Sequence, residues 1–205
     1  MNGKGRYSGM REEIFDKIYK HHLWGGDSKS GPGSGMPRTE AIRKWIPTLY
    51  DKYGIKSMLD IPCGDLYWLP SMELPEKYIG ADVVPAIIED NKRLHPNLDL
   101  RVLDLVSGTL PKVDLILARD VLGHLTVDEV NKALENIRQS GASYLLTTNF
   151  PYRTADIEDT PTGRWRPINM AAYGWHNPKD SILESIFNHE GHSIGKTLAL
   201  YEVKQ

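Results

Sequence analysis

Apolar residues recur in this chain with two different periods, and the alternation between them predicts its elements. Short apolar runs bounded by Gly, Pro or charged residues predict strands over 57–61, 78–82, 99–103, 113–118 and 142–148. Helical spacing predicts helices over 66–73, 85–93 and 127–139 between them. Strand and helix alternating in this way imply a parallel sheet with helices on both faces. Upstream, Ile14, Ile18 and Tyr19 mark a helix over 11–22, and a second runs over 39–53 with Thr39 as its cap, Ile42, Ile46 and Leu49 on one face and Pro47 as a kink. Downstream, the pattern predicts a helix over 179–189 and two apolar runs, 192–196 and 197–203, with Gly195-Lys196 as either a hairpin turn or a bulge.

Two stretches follow neither period. Residues 24–35 are too rich in Gly and Ser for helix or strand, and read either as a disordered linker or as a lid. Trp24 favours the lid, because an unanchored linker has little use for a large aromatic. Segment 149–178, rich in Arg, Pro, Asn and aromatics, is too long for a simple connector.

Length and charge narrow the function classes. At 205 residues the chain is one large domain, with no room for a second. Its net charge of −2, without long runs of either sign, gives no broad electrostatic footprint for nucleic acid or an anionic membrane. The single cysteine, Cys63, excludes an internal disulfide or a Cys-rich zinc cluster and suits a reducing compartment; the expected location is the cytoplasm. No apolar span approaches the ~20 residues of a membrane helix, and the histidines lack metal-ligand spacing, so no metal is expected.

The candidate chemistry sits at strand ends. Ser57-Met58-Leu59-Asp60-Ile61-Pro62-Cys63-Gly64-Asp65 is a strand running into a loop, and Asp82 ends the next strand at a distance suited to accepting ribose hydroxyls. Asp104 ends the third, where a carboxylate can meet the amine of an adenine. Each acid alone reads equally well as a cap or turn residue; together, strand by strand, they favour a cofactor site. No G-x-G-x-x-G turn is present to bring a pyrophosphate onto a helix, which counts against a nicotinamide cofactor.

From about Lys56 to Gln205 the chain resembles the class I S-adenosylmethionine-dependent methyltransferases. The resemblance implies a Rossmann-like α/β fold with a seven-stranded, mostly parallel sheet whose last strand is antiparallel. It divides the chain into an N-terminal helical lid with the Gly/Ser loop, 1–54, and the methyltransferase part, 55–205, as one structural unit. It places Asp60, Pro62, Cys63, Gly64 and Asp65 at the methionine end of the cofactor, Asp82 and Val83 at the ribose, Asp104 and Leu105 at the adenine, and Arg119-Asp120 through Leu125 at the transfer face. Where the family usually carries three glycines, this chain has Pro62, Gly64 and Leu66. Together with Trp24-Gly25, Ser28, Ser30 to Ser34, His124-Leu125 and Thr147-Thr148, that variant is similar to a poorly characterised microbial and phage subgroup. Trp24 and Ser34 then join the cofactor residues.

Methyl transfer is an in-line displacement governed by alignment, aided by a base when the acceptor is a hydroxyl or protonated amine. Asp120 and His124, one turn apart if their segment is helical, are the candidates for catalysis, set against a cap and a packing histidine. Ser28, Ser30, Trp68, Asn149, Tyr152, Arg164, Arg166, Tyr173, Trp175 and His176 are the candidate acceptor residues, and Trp165 lies among them. The expectation is a methyltransferase acting on an oxygen or nitrogen of a small polar or anionic molecule. The alternatives are a nucleic-acid-modifying enzyme, to which Arg153, Arg164 and Arg166 lend support, and a non-catalytic cofactor-binding subunit. Oligomeric state is not legible.

Overall fold

The computed structural model describes residues 4–153, 159–189 and 192–204. The helix α1 (Lys4–Lys20) is followed by the Gly/Ser loop and α2 (Met36–Tyr53). Strands β1 (Ser57–Asp60), β2 (Lys77–Asp82), β3 (Asp99–Val102), β4 (Leu115–Ala118) and β5 (Tyr144–Asn149) come next, with α3 (Pro85–Leu94) after β2 and α4 (Val127–Gln139) after β4. The hairpin β6 (Asp180–His189) and β7 (His192–Glu202) closes the chain.

One sheet of seven strands holds these elements in the order β3-β2-β1-β4-β5-β7-β6. The first five are mutually parallel, while β7 runs antiparallel to β5 and to β6. The expected seven-stranded sheet with an antiparallel last strand is therefore observed. Its strand order reverses between β1 and β4, which opens a crevice outside their carboxyl ends, the usual ligand position in such sheets.

Burial follows the periods read from the sequence. All four residues of β4 are buried, as a central strand covered on both faces requires. Val130, Ala133, Leu134 and Ile137 of α4 form one buried stripe at helical spacing, each large aliphatic contributing about 1.5–3 kcal/mol. Among the described residues, no helix is long and apolar enough to cross a membrane.

Four expectations need correction. Residues 66–73 are not helical: Leu66 takes a left-handed φ of 53°, and only a 3-10 turn over Leu69–Ser71 forms, with Pro70 at its start. Gly35, not Thr39, caps α2, and Thr39 sits inside it with its hydroxyl donating back to the Gly35 carbonyl at 3.1 Å. In place of the helix over 179–189, Asp180–His189 form β6, because that strand pairs with β7, whose backbone groups a helix would leave unpaired. A register shift between Leu183 and Ser185 inserts one extra residue, Glu184, which breaks the period-two alternation and leaves apolar pairs at helix-like spacing. Gly195-Lys196 lies within β7, across from that bulge, and is not a hairpin turn.

A capping box starts α4: Thr126 Oγ1 accepts from the Glu129 amide at 3.2 Å, and Glu129 Oε2 accepts from the Thr126 amide at 3.0 Å. The same glutamate takes Arg11 Nη1 at 2.9 Å and Thr162 Oγ1 at 2.6 Å, so the cap also ties α1 to the irregular segment. Thr126→Ala is expected to lower unfolding stability in urea by about 1 kcal/mol.

Candidate active site

The loop after β1 is shaped by close approach. Gly64 has φ 55°, and a Cβ there would lie 2.0 Å from Ser30 Oγ. Only glycine lets the Gly/Ser loop come this near. That loop is folded onto Asp65, whose Oδ1 accepts from Ser28 Oγ at 2.8 Å and Ser30 Oγ at 3.3 Å and whose Oδ2 accepts from the Lys29 amide at 2.6 Å. Its far end is tied as well, since Arg119 Nη2 donates to the Gly33 carbonyl at 2.9 Å. Trp24 anchors its start, with ring centroids 5.9 Å from Tyr19 and 4.8 Å from His124.

Beneath this loop lies a cavity of about 710 Å³ over the carboxyl ends of β1 to β4. All thirteen expected cofactor residues line it: Trp24, Ser34, Asp60, Pro62, Cys63, Gly64, Asp65, Asp82, Val83, Asp104, Leu105, Arg119 and Asp120. One wall was not foreseen. Arg11, Phe15 and Tyr19 of α1, four residues apart, face the cavity together.

Two of them engage the strand-end acids. Tyr19 donates to Asp82 Oδ2 at 3.1 Å, and the same carboxylate accepts from the Gly64 amide at 3.2 Å and the Val84 amide at 3.0 Å. Arg11 grips Asp104 through Nη2 at 2.5 Å and Nε at 3.3 Å, beside Ser107 Oγ at 2.6 Å and the Val106 amide at 3.0 Å. Burial pushes Asp60 up to about 7 and Asp82 to about 6, partly offset by Tyr78 on the first and by Val84, Tyr19 and Gly64 on the second. Burial would raise Asp104 too, but Arg11 and Ser107 outweigh it and hold its carboxyl below the usual range.

At the end of β4 three buried charges meet a fourth, Asp120, that is half-buried. Arg119 pairs with Glu184 at 2.8 Å and with Asp120 at 3.3 Å, and Lys196 reaches Asp120 at 2.6 Å and Glu184 at 2.7 Å. The bulge in β6 places Glu184 there. Burial alone would raise Asp120, yet Arg119 and Lys196 dominate and hold it well below the ordinary carboxylate range. Its backbone is left-handed, φ 54°, pinned by its amide donating to Thr148 Oγ1 at 2.9 Å. The segment is thus not α-helical: after Asp120 comes a 3-10 turn, Leu122–His124, though both Asp120 and His124 line the cavity. His124 Nδ1 lies 3.1 Å from the Arg164 carbonyl, which can only accept, so Nδ1 carries the proton and Nε2 the lone pair. Burial keeps this imidazole below its ordinary pKa, hence neutral at pH 7.

The acceptor candidates divide. Ser30, Trp68 and Arg164 line the cavity; Ser28 is fully buried behind it against Asp65. Asn149, Tyr152, Arg166, Tyr173, Trp175 and His176 are outside the lining. Asn149 Oδ1 accepts from the Met170 amide, Arg166 donates to the Leu125 carbonyl and to Tyr173, and Trp175 packs edge-on against Tyr201. Tyr152 and His176 are exposed. Lys196 and Glu184 went unseen because a strand bulge leaves no charge pattern in sequence; for Arg11 only its place one turn before Phe15 was a signal. Among the described residues no group of His, Cys, Asp and Glu can hold a metal ion.

No protein-family model matches the chain, and no curated protein matches it. Solved structures do. N-methyltransferase NodS from Bradyrhizobium japonicum WM9, in complex with S-adenosyl-L-homocysteine, superposes with a TM-score of 0.65 at 12% identity, covering 95% of this chain and 99% of its own. Magnesium protoporphyrin IX methyltransferase from Synechocystis PCC 6803, with bound S-adenosylmethionine, gives 0.61 at 11% identity over 98% of both chains. The chain has the Rossmann-like methyltransferase fold. The methyltransferase domain of bacterial CtHen1 gives 0.57 at 13% identity, covering 80% of this chain and 99% of that one.

Asp60 provides a test of the site's electrostatics. Its folded pKa of about 7 exceeds the unfolded value of 3.8, so the folded state holds the extra proton between those values and stability falls as pH rises from about 4 to 7. Asp60→Asn mimics the protonated form. Its stability relative to the parent protein is expected to improve by about 4 kcal/mol between pH 4 and pH 8, read by denaturant unfolding at each pH.

Proposed function

We propose that this protein is an S-adenosylmethionine-dependent methyltransferase that methylates an oxygen or nitrogen of a small polar or anionic acceptor. The reading is carried by one observation: Asp60 and Asp82, ending β1 and β2, and Asp104, just past the end of β3, line one cavity at the switch point of the sheet. Neighbours of the same fold hold S-adenosylmethionine or its demethylated product, which supports the choice of cofactor.

The residues present fit that group. Asp82 accepts three hydrogen bonds on a carboxylate with about four acceptor positions, leaving room for a ribose hydroxyl, with the Tyr19 hydroxyl as a second, exchangeable place. Asp104 already accepts four, so an adenine amine there has to replace a donor, and Leu105 lies beside it. The loop 60–65 with Trp24, Ser34 and Arg119 encloses the remaining end. When bound, the cofactor supplies an electrophilic methyl group on a sulfonium.

The chain's own contribution is alignment, exclusion of water and proton handling. Residues 1–54 act in this reading as the lid: α1 and the Gly/Ser loop wall the cavity, latched at Asp65 and Arg119. His124, neutral with Nε2 as its acceptor nitrogen, is the group suited to take a proton from a hydroxyl acceptor. Asp120 stays ionised and engaged, so it positions Arg119 and Lys196 and is a poor base.

Isothermal calorimetry with S-adenosylhomocysteine tests the cofactor. The intact protein is expected to bind it, and Asp82→Asn to weaken binding by at least about tenfold while retaining a cooperative unfolding transition. Absence of binding by the intact protein overturns the reading.

A further inference from the structure

Within the irregular segment, one short stretch is held as firmly as a strand. The Gly163 amide donates to the His124 carbonyl at 2.8 Å, the Arg166 amide to the Gly123 carbonyl at 3.0 Å, and His124 Nδ1 to the Arg164 carbonyl at 3.1 Å. Gly123 makes the approach feasible, since a Cβ there would stand 2.5 Å from the Arg166 carbonyl oxygen. The Arg166 guanidinium adds a bond to the Leu125 carbonyl. A backbone fixed in this way presents its intervening side chains, Arg164 and Trp165, in set positions.

Both line the cavity and both are exposed, Trp165 by 54%. Trp165 is steadied edge-on by Phe150 at 5.8 Å, another cavity residue. An indole held open to solvent beside a site, on a rigid backbone, is a stacking surface awaiting a ring. The charge pattern of the cavity adds an anion. The cavity's cations are Arg11 against Asp104, Arg38 on α2, and Arg119, Arg164 and Lys196 beyond β4. There Arg119 and Lys196 are neutralised by Asp120 and Glu184, while the Arg164 guanidinium has no ion-pair or hydrogen-bond partner among the described residues.

We infer that Arg164 and Trp165 form the acceptor clamp, and that the acceptor is a small ring-bearing molecule carrying a carboxylate or phosphate. The planar guanidinium fork matches either oxyanion, and the indole and Phe150 take the ring. His124 is hydrogen-bonded to the Arg164 carbonyl, so the imidazole and the clamp are tied to one fixed piece of backbone. This inference rests on the methyltransferase reading for its role, but its binding chemistry can be tested apart from it.

The probes are benzoate, phenyl phosphate and the neutral benzamide, titrated by calorimetry into protein saturated with S-adenosylhomocysteine. At least one anionic ring is expected to bind about tenfold or more tightly than benzamide, with benzoate against phenyl phosphate identifying the oxyanion. Arg164→Gln and Trp165→Ala should each weaken that binding by about tenfold and leave S-adenosylhomocysteine binding within about twofold. Equal binding of benzamide, unchanged binding by Arg164→Gln, or no anionic ring bound up to about 10 mM overturns the clamp. If S-adenosylhomocysteine itself does not bind, the function reading fails, and the same titrations on the protein alone decide the clamp.

Discussion

A guanidinium buried under the cavity holds together three parts of the chain that lie far apart in sequence. Arg119, at the end of β4, reaches Glu184 on the bulge of β6, Asp120 beside it, and the carbonyl of Gly33 in the Gly/Ser loop. Burying a charge is costly unless it is paired and hydrogen-bonded, so each partner is required once Arg119 is inside. Lys196 completes the group by neutralising what Asp120 and Glu184 would otherwise leave in excess. The register shift in β6, the left-handed backbone at Asp120 and the position of the loop are all tied to this one cluster.

The opposite side of the cavity follows the same rule with smaller stakes. Asp82 and Asp104 are buried strand-end acids, and α1 meets them with a hydroxyl and a guanidinium. In the proposed function these acids are cofactor ligands, so α1 is a wall of the site and not an appendage to it. Arg11 is also joined to Glu129, whose capping box starts α4 and whose carboxylate accepts from Thr162, so α1, α4 and the irregular segment share one hydrogen-bonded group.

How much of this was legible depended on whether a feature is local. The five parallel strands, α3 and α4 follow from apolar periodicity, because central strands and packed helices take their burial from their own spacing. Residues 66–73 and 179–189 each carry a helix-like spacing that does not become a helix, the first for a backbone reason and the second for a pairing one. Leu66 occupies the left-handed place where a glycine is usual, and β6 is a strand because β7 needs a partner. In the site, all thirteen expected cofactor residues line the cavity: eleven lie at the carboxyl ends of parallel strands, whose loops meet there whatever their detail, and Trp24 and Ser34 come from the Gly/Ser loop. The acceptor residues split because residues 149–178 have no period: Asn149, Arg166 and Trp175 turned inward to satisfy backbone and core, while Arg164 and Trp165 turned toward the cavity.

By itself the amino-acid sequence determined the sheet's parallel core, the acids at its strand ends and the side of it on which they gather, because alternation of strand and helix admits few topologies. It left the Gly/Ser segment open between a linker and a lid, and the approach of Ser30 to Gly64 is a contact of the folded chain. Only the tertiary structure decided which charges face one another. Arg11 with Asp104 is separated by 93 residues and Lys196 with Asp120 by 76, and no spacing along a chain encodes a pairing that long-range packing alone creates. The identity of the ionised, neutral and exposed groups in the cavity was therefore settled by burial and partners, which exist only once the chain has closed on itself.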